Sequence, residues 1–571
     1  MVAAATMAAV VIFFVFSAGL SAAAAAVVEH TFVVSRVNMT RSCKEILVTV
    51  VNGQLPGPTI EVTEGVSVAV HVVNKSPYNL IIHWHGVKQR LNCWADGVPM
   101  ITQRPIWPSH NFTYQFDVAG QEGTLWWHAH VGSFRASLHG AIIIRPRHGA
   151  SSYPFPEPHR EIPIMIEEWW DMDLQQLDRH MIDGNFDDNP TAMTMNGKLG
   201  HPFNCSGVVK DGYVLDVEPG MTYLLRVINV ALFSEVYFKI SGHNFTVVAA
   251  DANYVNPYTT DVISIAPGET FDALVVADAP HGSYNMVAVA QQVPKPEQQL
   301  PYFVTTGTLQ YKQNDCGHGN VQESLASVAL VVPDQMPDQH DTMTTYYFHG
   351  NLTSLHHRWQ QQVPVLTDEI FFITLSDGTI CRHGRQSCKR SGSNESLLVA
   401  AMNNVSFQLP SSLEAPLLEA HYYHCNENDG VKLFMLPNSP PREFNYTDFS
   451  LVSSSAQLEA TKKRMVGRRF RHGAVVDLVF QNTALMQTGS HPMHLHGHDM
   501  FVLAQGHGIY DAAKDVARYN LMDPPLGWVA VRFVADNPGI SAHSCKQAIT
   551  FSYANLDGME PCRPCVSFHI P

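Results

Sequence analysis

Three His-x-His pairs constrain this chain more than anything else in it: His83-Trp-His85, His128-Ala-His130 and His494-Leu-His496. Two lie in the first quarter and one in the last, so a fold that uses them together must bring distant parts of a 571-residue polypeptide into contact. Each sits among strand-forming residues. Leu80-Ile-Ile82 precedes the first, Thr124-Leu-Trp-Trp127 precedes the second, and the third falls in Val475 to Leu503, which reads as strand. Residues two apart on a strand share a face, about 7 Å from one another. That suits two ligands on one metal ion or on two adjacent ions. Neutral imidazole serves copper, zinc, iron and nickel alike, so the motif does not name the metal. A lone histidine is more often a satisfied core or surface residue; one spacing met three times argues for a site. His491 extends the last cluster.

The texture between the pairs is β. Charged residues make up only 15% of the chain, while Gly (37) and Pro (35) are plentiful, a balance that fits short strands and turns. Val48-Thr-Val-Val-Asn52 and Val66-Ser-Val-Ala-Val-His-Val72 read as strands, punctuated by turns at Pro56-Gly57-Pro58 and Asp96-Gly97. No amphipathic helix of useful length appears in the first domain, so an all-β Greek-key sandwich or barrel is expected. Residues 28–147 form that first domain, 160–310 a second of the same texture without a His-x-His pair, and 363–571 a third. A Gln/Asp/His-rich connector at 311–362 is expected to be a surface linkage. The formal charge of −15 argues against nucleic acid or an anionic membrane surface as partner.

Residues 1–26 read as a secretory signal: an apolar run from Ala8 to Leu20, then small residues from Ala22 to Ala26. Nine Asn-x-Ser/Thr triplets fit a secreted glycoprotein, at Asn38, Asn74, Asn111, Asn204, Asn244, Asn351, Asn394, Asn404 and Asn445. No later stretch is apolar enough to span a bilayer. The ten cysteines then meet an oxidising compartment, where most are expected to pair.

The His pairs, together with Tyr223-Leu-Leu-Arg-Val-Ile-Asn229, Gly242-His-Asn-Phe-Thr-Val-Val248 and Ile265-Ala-Pro-Gly268, resemble the multicopper oxidases, and among them the plant-type laccases, from Val28 to Gly539. The resemblance implies three tandem cupredoxin-like (plastocyanin-like) domains and four copper ions: one type 1, one type 2 and two type 3. It implies His83 and His494 as type 2 ligands, and His85, His128, His130 and His496 as type 3 ligands. His491 would belong to the type 1 site, and Cys43 would pair with Cys205. Diphenols or monolignol-like phenols would give up single electrons, and dioxygen would be reduced to water. Such an enzyme works outside the cell, in the apoplast, in lignin formation or degradation and phenolic detoxification.

The pattern breaks after Asp536-Asn-Pro-Gly539. The family continues Val/Thr-Trp-x-x-His-Cys-His-x-x-x-His, whereas this chain reads Ile540-Ser-Ala-His-Ser-Cys-Lys-Gln547. Cys545 lies at the offset of the thiolate, but Ser544 and Lys546 replace its flanking histidines and Thr550 replaces the second type 1 histidine. The segment Asn520 to Gly527 is also shorter than its family counterpart. The break immediately after Gly539 leaves two readings of 540–571, a retained intron or misassigned gene model and a diverged but real tail; abundant transcripts encoding the tail would count against the first. Besides the laccase reading, two others follow: a catalytically impaired copper-binding protein, and an ascorbate oxidase-like enzyme. A blue thiolate absorption and diphenol oxidation under air separate the first two.

Overall fold

The computed structural model describes residues 27–41, 43–182, 189–200, 212–292, 303–312, 335–355, 363–381, 396–408, 415–423, 433–448, 461–483, 491–511, 527–545 and 549–555. Residues 1–26, where a signal segment is expected, and residues 313–334 and 356–362 of the expected connector lie outside them. Among the described residues the strands form six sheets, two in each third of the chain: four and four strands, six and five, seven and five. Each third opens alike. Strand β1 (Val27–Arg41) pairs in parallel with β2 (Ser67–Asn74). The strand Arg160–Trp169 pairs in parallel with Thr222–Asn229, and Glu369–Cys381 with Val475–Asn482. A parallel pair cannot be closed by a hairpin, so the chain crosses over between the sheets each time. Three β-sandwiches result, the all-β arrangement expected.

Side-chain alternation decides where the histidines go. In β3 (Ile82–His85), Ile82 and Trp84 fill the first core; in β4 (Gly123–Ala129), Leu125, Trp127 and Ala129 do the same. Strand periodicity then turns His83, His85, Trp126 and His128 to the opposite face. That face is covered too, because Trp126 packs with Met165, Ile228 and Val230 of the second sandwich. Every residue of β4 is therefore buried. Trp84 and Trp127 are completely buried, and truncating either would cost about 3–5 kcal/mol, which locks the alternation in register.

Gly97 lets the next loop close on this strand. Its φ is +78°, and a Cβ there would stand 1.9 Å from the Ile82 carbonyl oxygen. Backbone cannot yield as a flexible side chain does. Gly97→Ala is expected to lower stability by more than about 2 kcal/mol, from left-handed strain plus overlap. Urea unfolding checks this; a loss below about 0.5 kcal/mol would mean that the loop sits elsewhere.

Two expectations change. Helix α1 (Thr342–Asn351) falls in the presumed surface linkage, yet Phe348 and Leu352 belong to the second core. Asp341 caps it, accepting from the N–H groups of Met343 and Thr344, so a short polar segment starts a helix whose buried side then docks. Asn74 is the other correction: it is fully buried, and its amide donates to the carbonyls of Tyr78 (2.7 Å) and Ile106 (2.9 Å). It has no room for a glycan. Asn38, Asn111, Asn244, Asn351 and Asn445 are exposed and Asn404 is half-buried, while Asn204 and Asn394 lie outside the described residues. Cys43 is disulfide-bonded; Cys205 also lies outside. No helix among the described residues is long and apolar enough to cross a membrane.

Candidate metal centre

The first and third sandwiches meet at the histidines. Strands β3 and β4 pair antiparallel with His83 opposite His128 and His85 opposite Trp126. From the third sandwich comes β5 (Met493–Leu495), whose Leu495 points into its own core and leaves His494 and His496 on the other face. The His83 ring lies 4.1 Å from His496, 5.2 Å from His130, 5.4 Å from His128, 5.7 Å from His85 and 5.8 Å from His494, centroid to centroid. His85 stacks on His494 at 3.8 Å. Six imidazoles from opposite ends of the chain thus form one cluster. Donor atoms of His83, His494 and His496 lie within 4.8 Å of one another, as do those of His83, His85 and His128.

The hydrogen bonds set the tautomers. His83 Nδ1 donates to the Asp96 carbonyl oxygen at 2.6 Å, and His128 Nδ1 to the Ala129 carbonyl at 2.9 Å. His496 Nδ1 meets the Asp96 carboxylate at 3.0 Å. The lone pairs of His83 and His496 therefore reside on Nε2, and both of these atoms are buried without a hydrogen-bond partner. Buried nitrogens with unshared lone pairs, converging from several rings, fit a metal better than any protein donor. Burial above all, and then the neighbouring rings, holds His85, His128 and His130 well below the ordinary imidazole range. Neutral imidazole is the ligating form.

Asp96 is the residue that sequence reasoning missed, because Asp96-Gly97 reads as a turn. It is buried, and burial alone would push its carboxyl up; the hydrogen-bonded His496 and His83 rings carry it well below the usual range instead. One residue so orients a histidine from each end of the chain. An acidic side chain in a turn closely following a His-x-His pair is the signal that could have found it. Asp96→Ala is expected to weaken copper binding at the cluster by about 10–100-fold. Copper titration of the purified protein measures this, and an unchanged affinity would remove Asp96 from the site.

His491 is half-buried. Strand β6 (Gly539–Cys545) runs antiparallel to β5 with Met493 opposite Cys545, His494 opposite Ser544 and Leu495 opposite His543. It turns back into β7 (Ile549–Asn555). The divergent tail thus begins by pairing with the strand that carries His494.

Comparison with known proteins agrees with this geometry. Multicopper oxidase family models match residues 33–149, 160–314 and 436–552. The chain belongs to the multicopper oxidase family. Within it the chain is of the plant laccase type. Laccase-15 of Oryza sativa subsp. japonica is 62% identical over 543 residues, covering 92% of this chain and 89% of that protein. Laccase-19 of the same subspecies is 49% identical over 528 residues, covering 90% and 87%. Among solved structures, Fet3p, a multicopper oxidase that functions in iron import, aligns with TM-score 0.68 at 19% identity, covering 94% of this chain and 93% of that one. The laccase of Botrytis aclada aligns with TM-score 0.64 at 21% identity, covering 94% and 88%. Such distant likeness speaks for the three-sandwich fold alone. As a laccase-type multicopper oxidase the chain is a copper-binding oxidoreductase.

Proposed function

We propose that this chain is a secreted oxidase of diphenols and monolignol-like phenols, which yield electrons singly while dioxygen takes four and leaves as water. The observation that carries the reading is the convergence of His83, His85, His128, His130, His494 and His496, with burial holding His85, His128, His130 and His496 below the ordinary imidazole range and the Nε2 lone pairs of His83 and His496 left unshared. His83 and His494 would hold the type 2 ion, and His85, His128, His130 and His496 the type 3 pair. His491 and Cys545 would serve the type 1 site. Copper, when bound, supplies one-electron redox steps that no side chain offers. The chain's own residues do the rest. Asp96 fixes two rings in one tautomer, and the buried Trp126 packs against His85 and His128. The exposed sequons and the leader at 1–26 support an extracellular, apoplastic setting with a role in lignin or phenolic turnover.

One observation favours a second reading, a copper-binding protein of impaired turnover. The position in register with His494 is Ser544, where the family pattern has an imidazole. Copper stoichiometry, visible absorption and oxygen uptake with a diphenol decide between the two. Full loading with a blue band and uptake supports the oxidase; copper without either supports the impaired form. No copper at all would sink both.

A further inference from the structure

The middle sandwich contributes no His-x-His pair, yet it forms a wall of the histidine cluster. After the strand Ile263–Ile265 the chain turns through Ala266, Pro267 and Gly268, with Gly268 at φ +97°. A Cβ on Gly268 would stand 3.6 Å from Cε1 and 3.8 Å from Nε2 of His85, so this backbone lies along one edge of that imidazole. The other edge faces the cluster, with His85 Nδ1 3.4 Å from His128 Nε2. Trp126 Nε1 donates to the Gly268 carbonyl at 3.0 Å, and the Gly268 N–H donates to Asn229 O at 2.7 Å.

The next residue ties this turn to the helix behind it. Glu269 is buried, and its Oε2 accepts from the Ala266 N–H at 2.7 Å, closing the turn that carries Gly268. The same oxygen lies 3.3 Å from Nε2 of His349, a buried residue of α1 whose Nδ1 donates to the Thr345 carbonyl at 3.0 Å. An unbroken line of contacts therefore runs from α1 through His349, Glu269 and Gly268 to His85. If Glu269 only neutralised His349 inside the second core, it would have no need to close the turn as well. Doing both, it couples the helix to the face that His85 rests on.

We infer that Glu269 and His349 are positioning residues of the cluster: they clamp the 266–268 turn against His85 and so aim its Nδ1 at His128. The copper-free sandwich and its trailing helix thereby become part of the metal site. The inference rests on the reading that the six histidines hold copper, and its test has one arm that needs no metal.

The test uses the full chain and its His349→Ala, Glu269→Ala and Glu269→Gln variants, each checked for an unchanged circular dichroism spectrum and melting transition. In the copper-free protein, diethylpyrocarbonate labelling followed by mass spectrometry reads the accessibility of each histidine. The two alanine variants are expected to raise the labelling rate of His85 several-fold with His83 unchanged. Glu269→Gln, which keeps an acceptor for the Ala266 N–H, is expected to restore most of the protection. In the copper arm, His349→Ala is expected to bind about tenfold more weakly than the unaltered chain, the scale of an outer-shell partner. Equal His85 labelling in all four proteins would overturn the clamp, as would labelling that rises equally at His83. An unaltered chain that takes up no copper would overturn the ligand assignment instead, while the labelling arm still decides the clamp.

Discussion

Three substitutions made together, Ser544→His, Lys546→His and Thr550→His, are expected to give this chain a blue absorption band and to raise its oxygen uptake with a diphenol more than about 100-fold. Outer-shell partners of a metal are already worth about 10–100-fold, and these positions correspond to ligands. The physical case starts from the register: position 544 lies opposite His494 and Cys545 opposite Met493, so β6 already runs beside the cluster strand. Two imidazoles flanking Cys545 would complete the six rings expected of the type 3 pair and connect them to the thiolate. A third at 550 would join His491 and Cys545 in the His2Cys set that defines a blue copper site. Replacing Lys546 also removes a cationic residue adjacent in sequence to Cys545. Visible spectroscopy and an oxygen electrode are the measurements. A folded, copper-loaded triple variant with neither band nor uptake would show that the tail's path, and not its missing imidazoles, limits turnover.

The second large effect is on stability, at the seam between the first two sandwiches. Arg226 is fully buried, and its guanidinium bonds Asp272 Oδ2 at 2.7 Å, Glu161 Oε2 at 3.0 Å, Thr124 Oγ1 at 2.7 Å and the Tyr153 hydroxyl at 2.9 Å. Thr124 belongs to β4, the strand of His128, so this network anchors the cluster's scaffold. Arg226→Ala leaves the buried Asp272 carboxylate without its cation and is expected to cost about 3–5 kcal/mol. Burial already pushes the Asp272 carboxyl up even with Arg226 beside it, so desolvation is the dominant penalty there. Adding Asp272→Asn to Arg226→Met should recover a large part of the loss, because the uncompensated charge is then gone. Urea unfolding followed by tryptophan fluorescence measures both variants. A loss below about 1 kcal/mol for Arg226→Ala would mean that water enters the seam and screens the carboxylates.

The clustered histidines were legible because strand alternation is a local rule. Once Ile82 and Trp84, Trp127 and Ala129, and Leu495 are assigned to cores, the histidines between them have only the opposite face to occupy. The triplet at Asn74 misled because a sequon says nothing of burial, and that amide is spent on the carbonyls of Tyr78 and Ile106. Helix α1 escaped notice because its sequence, Thr-Met-Thr-Thr-Tyr-Tyr-Phe-His-Gly-Asn, carries no clear apolar stripe. It is held by its Asp341 cap and by Phe348 docking into a core formed elsewhere.

By itself, then, the sequence determined the β texture, the three His-x-His pairs and the face that each presents, since these follow from spacing along one strand. Tertiary structure alone decided that the pairs meet and that Asp96 serves a ring from each end of the chain. It alone decided that a turn of the middle sandwich lies against His85. Those contacts join residues as far apart as 96 and 496, and no periodicity along a chain encodes a neighbour brought in from another domain.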